Sequence, residues 1–480
     1  MKFLSVIFLS GLMFFSYSCH LKSTKPPNIL FIAVDDLRPE LNCFGSHHIK
    51  SPNIDKVAHS GIIFQQAYCQ VPVCGASRAS LLTGLRPGYT WFIDYDTWAD
   101  KDAPGALTLP QHFKNNGYYT LSNGKIFHHR EDKLQSWSED PWLPVDDVEG
   151  PKYWRDYQLK DNIRILTSLE GNGPAFEKAD VEDNAYFDGR LAEKCIRDLR
   201  RLKEMDQPFF LAAGFYKPHL PFNAPSKYWN LYKQEDIRLA DNPFRPKHAP
   251  DASMHNFGEL RNYTNIPNEG PLPDSLARLL VHGYYACVSY TDTQIGKVLN
   301  ELKNLGLDDN TIVIIWGDHG WNLGEHGLWC KHCNYETSLR APIILQVPWL
   351  EGGLETDALV EFIDIYPTLC DLAGLEIPPH LQGESLRKYF NDPALPGKPY
   401  VFSRFIRGES VKNADYRYTE WLNPESSRYA DMLYDHHNDP EENHNIAAEE
   451  PYTDIIELFR EMNVDNRKKA EEVLQGISNR

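Results

Sequence analysis

Cysteine is scarce in this chain, with nine residues (19, 43, 69, 74, 195, 287, 330, 333 and 370) among 480. The count is odd and the positions are spread thinly, which excludes the dense disulfide framework of small secreted modules, and no bridge is assigned. Basic charge is short as well. With 49 Lys and Arg against 67 Asp and Glu, a net charge of −18, the protein repels polyanions at long range and is no general nucleic-acid binder. An anionic substrate must therefore find its positive contacts locally. Beyond residue 17 no apolar run approaches the ~20 residues that a membrane-spanning helix needs. Internal repeats and low-complexity tracts are absent too, and the acidic stretch 435–450 reads as a solvated loop.

What is present is ordinary globular material, 42% hydrophobic and 24% charged. The length exceeds one compact module and suggests about three folding units, or one large α/β domain with an appendage. The chain opens Met-Lys, followed by the apolar run 3–17 (FLSVIFLSGLMFFSY) and then Ser18-Cys19. This is the layout of a cleaved export signal. Its end looks like a relaxed bacterial lipoprotein signal over residues 1–18, with Cys19 lipidated as the first mature residue. Plain cleavage and secretion is the alternative. The expected location is the periplasm or cell surface, or alternatively the protein is secreted, and membrane attachment would run only through Cys19.

Residues 28–34 (NILFIAV), 208–215 (PFFLAAGF) and 311–316 (TIVIIW) are apolar runs of the kind that form strands buried on both faces. Each discharges polar residues at its carboxyl end: Asp35-Asp36, Lys217-Pro218-His219, and Gly317-Asp318-His319. Residues 342–347 (PIILQV) are expected to form another strand of that kind. Helical periodicity is clearest over 275–305. This alternation implies an α/β fold with a large, mainly parallel sheet between helices, its ligand chemistry gathered outside the strand ends. After residue 383 prolines at 393, 396 and 399 break the pattern, and YVFSRF and YRYTEW suggest short antiparallel strands before a terminal helix. The expected units are a catalytic domain over 25–393 and a smaller α+β subdomain over 394–480.

Two adjacent carboxylates, Asp35 and Asp36, cannot both enter a site from a regular strand, because neighbouring side chains alternate faces, but they can converge where the strand ends. A turn or helix-cap role is the bland alternative. A second acidic strand exit at Asp318 shifts the balance, since oxygens from separate strand ends suit a hard divalent cation. His319 beside it is a less typical ligand for such a cation. Cys74, opening the short apolar helix pattern CGASRASLLTG, would sit near exposed amides and a positive helix end, and Arg78 one turn later can return to the same place.

Cys74-Gly75-Ala76-Ser77-Arg78 matches the signature C-x-[PA]-S-R of the formylglycine-dependent sulfatases, and Leu82-Thr83-Gly84 matches its extension. The resemblance runs through Asn28 to Asp36, GKIFH at 124–128, FFLAAGFYKPHLPF at 209–222 and GDHGWNLGEHGLWCK at 317–331, covering most of the chain in order. Within that family the chain looks most like the iduronate-2-sulfatase branch. The resemblance implies an alkaline-phosphatase-like fold and a Cys74 oxidised to formylglycine by a maturation enzyme. It further implies a Ca²⁺ held by Asp35, Asp36, Asp318, His319 and an oxygen of modified Cys74. His319 departs from the usual Asn or Gln of the family.

The resemblance also implies the roles. Lys125, Lys331 and Arg78 would hold sulfate oxygens. His219 would protonate the departing sugar oxygen, and His128 would accept a proton from formylglycine hydrate so that sulfate is expelled. The family's lysine-x-histidine element is stretched here to Lys125-x-x-His128, which leaves His129 as the competing choice. Asp94 and Trp98, in the loop WFIDYDTW at 91–98, could meet the sugar, or the aromatics could simply pack beneath the loop. The Cys330-x-x-Cys333 pair lacks a second metal-binding half. The implied substrate is a sulfated carbohydrate, with a uronate 2-sulfate of a glycosaminoglycan or of an algal polysaccharide such as ulvan as one reading. The alternatives are a phosphate or phosphonate monoester hydrolase on the same scaffold, and a surface protein that captures sulfated glycans without catalysis.

Overall fold

The structure, a computed structural model, describes residues 25–147, 155–168, 172–425 and 427–478. The signal segment and Cys19 lie outside them. Seven strands form the main sheet: β1 (Asn28–Val34), β2 (Ile62–Tyr68), β3 (Tyr119–Gly124), β4 (Phe209–Phe215), β5 (Thr311–Gly317), β6 (Ile343–Gln346) and β7 (Leu354–Glu361), in the order β7-β2-β6-β5-β1-β4-β3. The three apolar runs read from the sequence are the central strands β1, β4 and β5, and every residue in them is buried.

Register fixes where the site must lie. β1 pairs in parallel with both neighbours, Val34 opposite Phe215 on one side and Gly317 on the other. Asp35, Tyr216 and Asp318 therefore leave the sheet level with one another. β3 runs parallel to β4 with Gly124 opposite Gly214, which brings Lys125 to the same edge. The remaining candidate strand departs from expectation: β6 pairs antiparallel with both β2 and β5, so its carboxyl end points away from this edge. Its continuous apolar sequence reports burial on two faces, a property that both strand directions share in the middle of a covered sheet.

Both faces are covered because alternate residues of one strand enter different cores. Leu30, Ile32 and Val34 pack with α2 (Phe187–Lys203) and the long α3 (Asp274–Asn304), whereas Ile29, Phe31 and Ala33 pack with α1 (Cys74–Thr83) and α4 (Ile365–Ala373). Each fully buried Ile, Leu or Phe contributes roughly 1.5–3 kcal/mol relative to exposure, so a one-residue slip of β1 would reverse both contact sets at once. No helix among the described residues is long and apolar enough to cross a membrane.

The smaller unit is an antiparallel sheet of β8 (Val401–Phe405), β9 (Gly408–Lys412), β10 (Tyr416–Leu422) and β11 (Arg428–Asp435), in that order. The terminal helix α5 (Thr453–Ser478) closes it through Phe459 and then reaches the main core with Ala470, Val473 and Leu474.

Candidate active site

Asp36 is the first residue beyond the strand end to adopt a left-handed backbone, φ 61°. That bend lets two successive carboxylates face one centre. Its cost, of order 1–3 kcal/mol, is met by fixed contacts: the Asp36 amide donates to Asp318 Oδ1 at 3.0 Å, and the Tyr284 hydroxyl of α3 donates to the Asp36 carbonyl at 2.9 Å. Sequence reasoning missed Tyr284, whose helical position signals only packing.

Cys74 stands at the first position of α1. Its Sγ lies 3.3 Å from His319 Nε2 and 3.8 Å from Asp36 Oδ1. Gly75 is required beside it, since a Cβ there would stand 2.3 Å from the Tyr95 carbonyl oxygen. Burial pushes the Cys74 thiol well above its usual range, and Asp35 adds to the shift. An unmodified Cys74 is thus a thiol, not a ready thiolate nucleophile.

Arg78 departs from its expected place against the sulfate. Its side chain has 0% exposure, and its donors are consumed: Nε on Asp318 Oδ2 and Nη2 on Asp35 Oδ1, both at 2.9 Å, with Nη1 on the Lys125 and Ile126 carbonyls. It braces two acidic strand exits against the turn carrying Lys125. A planar fork does this, whereas a lysine would hold only one partner firmly.

The other cations have freer surroundings. Lys125 Nζ donates to Asp35 Oδ2 at 2.6 Å from the wall of a cavity of about 350 Å³ that His128, His129, Tyr216 and His219 also line. Gly214 makes this possible, because a Cβ there would meet the Lys125 carbonyl oxygen at 2.1 Å. Lys331 Nζ donates to Asp36 Oδ1 at 3.0 Å and to Glu259 Oε1 at 2.8 Å, with the Trp321 ring beneath it at 4.9 Å. His219 brings Nε2 to 3.2 Å from the same Glu259 oxygen and 3.8 Å from Asp36 Oδ2, while its Nδ1 bonds to the Leu220 carbonyl. The exit of β4 that carries His219 is held by Asp188 of α2, whose carboxylate accepts the Tyr216 and Lys217 amides.

The two candidate imidazoles at 128 and 129 divide by environment. Burial, with the Lys125 ammonium adding to it, depresses His128 to about 2, and its Nδ1 is buried without a hydrogen-bond partner. A neutral imidazole with an unused nitrogen at the cavity wall can accept a proton. His129 stacks on Trp98 at 4.1 Å and pairs with Asp96. The aromatic loop itself divides: Trp91 and Phe92 are packing, whereas Tyr95 is 63% exposed. Asp94 turns its carboxylate onto the Asp96 amide within the loop.

The acidic set can hold a cation. Asp35, Asp36, Cys74 and His219 form one group whose ligand atoms lie within 4.8 Å of one another, and Cys74, Asp318 and His319 form a second that shares Cys74. His319 Nδ1 bonds to the Gly320 carbonyl, which fixes the proton there and leaves the Nε2 lone pair toward Asp36 Oδ1 at 3.4 Å and Asp318 Oδ1 at 3.7 Å. Burial raises Asp36 despite the opposing effect of Lys331, whereas Lys125 and Arg78 outweigh burial and hold Asp35 well below the usual carboxylate range. A buried, incompletely neutralised carboxyl beside an imidazole lone pair met only by the Cys74 thiol fits a divalent ion.

Glu259 was not legible in the sequence. It lies in HNFGELR, far from any strand exit and without a pattern that marks it.

Known proteins share sequence and fold with this chain. The family model described as Sulfatase matches residues 27–375, and the model described as N-sulphoglucosamine sulphohydrolase, C-terminal matches 324–469. Iduronate 2-sulfatase of Mus musculus is 33% identical, the alignment covering 91% of this chain and 94% of that protein. The fold is shared with a solved structure described as in complex with its substrate D-glucosamine-2-N,6-O-disulfate, at TM-score 0.73, 21% identity and 93% and 99% coverage. It is equally shared with a phosphonate monoester hydrolase from Silicibacter pomeroyi, at TM-score 0.74, 20% identity and 92% and 96% coverage. The alkaline-phosphatase-like fold alone therefore does not separate sulfate from phosphonate chemistry, but the match over most of the length does: this chain belongs to the sulfatase family and is an enzyme that hydrolyses sulfate esters.

Proposed function

We propose that the protein is an exported sulfatase that removes sulfate from a sulfated carbohydrate, using a formylglycine made from Cys74 and a Ca²⁺ bound by Asp35, Asp36, Asp318 and His319. The observation that carries this reading is the position of Cys74, at a helix start and in contact with His319 and Asp36 inside the acid cluster. When bound, the ion would supply positive charge that favours ionisation of a coordinated hydroxyl and offsets charge on sulfate. Formylglycine would supply, as its hydrate, a nucleophilic oxygen that a buried thiol does not.

The chain's own residues do the rest. Lys125 and Lys331 reach the centre through Asp35 and Asp36 respectively and can turn from them to sulfate oxygens. Both are charged: burial lowers their pKa, but the surrounding acids together raise it, Asp35 foremost for Lys125 and Asp36, with Glu259, for Lys331. The bond of His219 Nδ1 to the Leu220 carbonyl orients Nε2, the atom placed to pass a proton to the leaving sugar oxygen. His128, neutral at the cavity wall, is placed to accept a proton on the nucleophile side. Arg78 keeps the acids aligned and touches no substrate.

The sugar is inferred from the relative named iduronate 2-sulfatase: a uronate 2-sulfate within a glycosaminoglycan or an algal polysaccharide such as ulvan. Tyr95 and the stacked Trp98–His129 pair offer aromatic surface for a sugar ring. Export with lipidation of Cys19 rests on the leader sequence and puts the enzyme in the periplasm or at the cell surface. Two measurements test the reading. The peptide containing Cys74 should have its thiol replaced by an aldehyde oxygen in the mass spectrum, and Cys74→Ala should release no sulfate from defined oligosaccharides. Full turnover by that variant would refute the scheme. Faster release from an aryl phosphonate than from an aryl sulfate would favour the phosphonate hydrolase instead.

A further inference from the structure

Glu259 is the charged residue of the centre that neither ion binding nor sulfate binding requires. It stands on a single helical turn, Gly258–Arg261, entered through Phe257 at φ 44°. The turn is not a loose rim. Leu260 is buried beside it, and the Arg261 guanidinium is tied to the Asn256, Pro267 and Gly270 carbonyls. The carboxylate is thus held in one place. Its two oxygens are used unequally. Oε1 takes Lys331 Nζ at 2.8 Å and lies 3.2 Å from His219 Nε2. Oε2 is buried and accepts no hydrogen bond, its approach to His332 Nδ1 being 3.9 Å. A buried carboxylate oxygen left in that state is costly unless a donor reaches it.

Beside it, His332 has φ 76° and lays its ring on Phe405, with centroids 5.6 Å apart. His255 Nε2, on the same side, is also buried without a partner. The glutamate and the two imidazoles border one flank of Lys331.

We propose that Glu259 determines specificity by accepting the hydroxyl group next to the sulfate ester on the sugar ring, and that it excludes sugars carrying a second sulfate at that carbon. The inference rests on the sulfatase reading. His219 is assigned to the ester oxygen and Lys331 to the sulfate, and Glu259 touches both. The next oxygen on the ring lies one hydrogen-bond length from the ester oxygen, within reach of the Glu259 carboxylate, whose side chain is 20% exposed. A hydroxyl there gives the carboxylate the donor it lacks, whereas a sulfate there sets two anions against each other in a site of low dielectric.

The test uses the monosulfated methyl hexoside or hexuronide that the wild-type enzyme cleaves fastest, with the vicinal oxygen left free, methylated or sulfated, and 4-nitrophenyl sulfate as a substrate without a vicinal hydroxyl. In the wild type kcat/KM should fall from hydroxyl to methoxyl to sulfate. Glu259→Gln should lower the hydroxyl-to-sulfate ratio at least roughly tenfold, and Glu259→Asp, which keeps the charge, should retain part of it. Equal ratios in the wild type and in Gln and Asp variants that melt cooperatively would overturn the proposal, even if all rates fell together, because Glu259 would then only position Lys331 and His219. If the Gln variant fails to fold, the Asp ratio decides by the same criterion, since a shortened carboxylate must shift a ratio that depends on its reach. Failure of wild-type protein with matured Cys74 to release sulfate from every substrate would instead overturn the sulfatase reading.

Discussion

Among the described residues, two clusters of metal-ligand side chains look alike by proximity alone. At the strand exits, Asp35, Asp36, Cys74 and His219 converge, as do Cys74, Asp318 and His319; at the joint with the smaller sheet, Glu336, His436 and Glu442 do. Their hydrogen bonds separate them. At the joint every carboxylate oxygen has a donor: Glu336 takes the Tyr68 hydroxyl and Arg417, and Glu442 takes Arg417 Nε, His436 Nε2 and the Glu336 amide. Lys412 Nζ donates to His436 Nδ1 at 2.7 Å, which leaves that imidazole no lone pair. At the strand exits the oxygens of Asp35, Asp36 and Asp318 also have donors, but three of the six take them from the ammonium groups of Lys125 and Lys331, which can turn away, and the His319 Nε2 lone pair is met only by the Cys74 thiol. Convergence of acids makes a metal site only where the protein's own donors can give way to an ion.

Removing divalent ions is the strongest way to break this comparison. Exhaustive chelation should lower sulfate release on the order of 10³-fold, comparable to losing a major source of transition-state charge stabilisation. Added Ca²⁺ should restore it and raise Tm with concentration, because the ion binds only the folded chain. Full activity in protein shown by elemental analysis to hold no metal would make the two clusters equivalent. The joint should respond to a different attack. Arg417→Met leaves Glu336 and Glu442 buried without their shared cation, so chemical denaturation should show a loss of about 3–5 kcal/mol. A loss below about 1 kcal/mol would mean that the joint is not held by this pair.

Much of the contrast was legible in the chain, but unevenly. β1, β4 and β5 announced themselves because strands covered on both faces must be apolar throughout, and their register then placed Asp35, Lys125 and Asp318 at one edge. The direction of β6 was hidden, since Ile343 to Leu345 are equally buried whichever way the strand runs. Arg78 was legible as part of the centre but not as a brace, because its role depends on the simultaneous distances to Asp318, Asp35 and two carbonyls. Glu259 and Tyr284 left no trace, each depending on a long-range approach that no local pattern encodes. At the joint, Arg417 pairs with both Glu336 and Glu442, an arrangement that appears only in three dimensions.

Lys412 provides the finest test of the claim that the joint is filled by protein donors alone. It is 2% exposed, and burial, opposed by Glu336, depresses it from 10.5 to about 8. Below pH 8 lysine is protonated in both folded and unfolded chains, and the burial penalty is present in full. Between about 8 and 10.5 the unfolded chain binds more protons than the folded one, so this residue makes stability rise with pH across that window and makes it independent of pH above it. Lys412→Met, similar in volume and unable to titrate, should remove that part of the slope in denaturant midpoints measured from pH 7.5 to 10.5. Added Ca²⁺ should leave the difference between the two slopes unchanged. Were the difference to depend on Ca²⁺, an ion would be reaching the joint, and the acids there would belong with those at the strand exits after all.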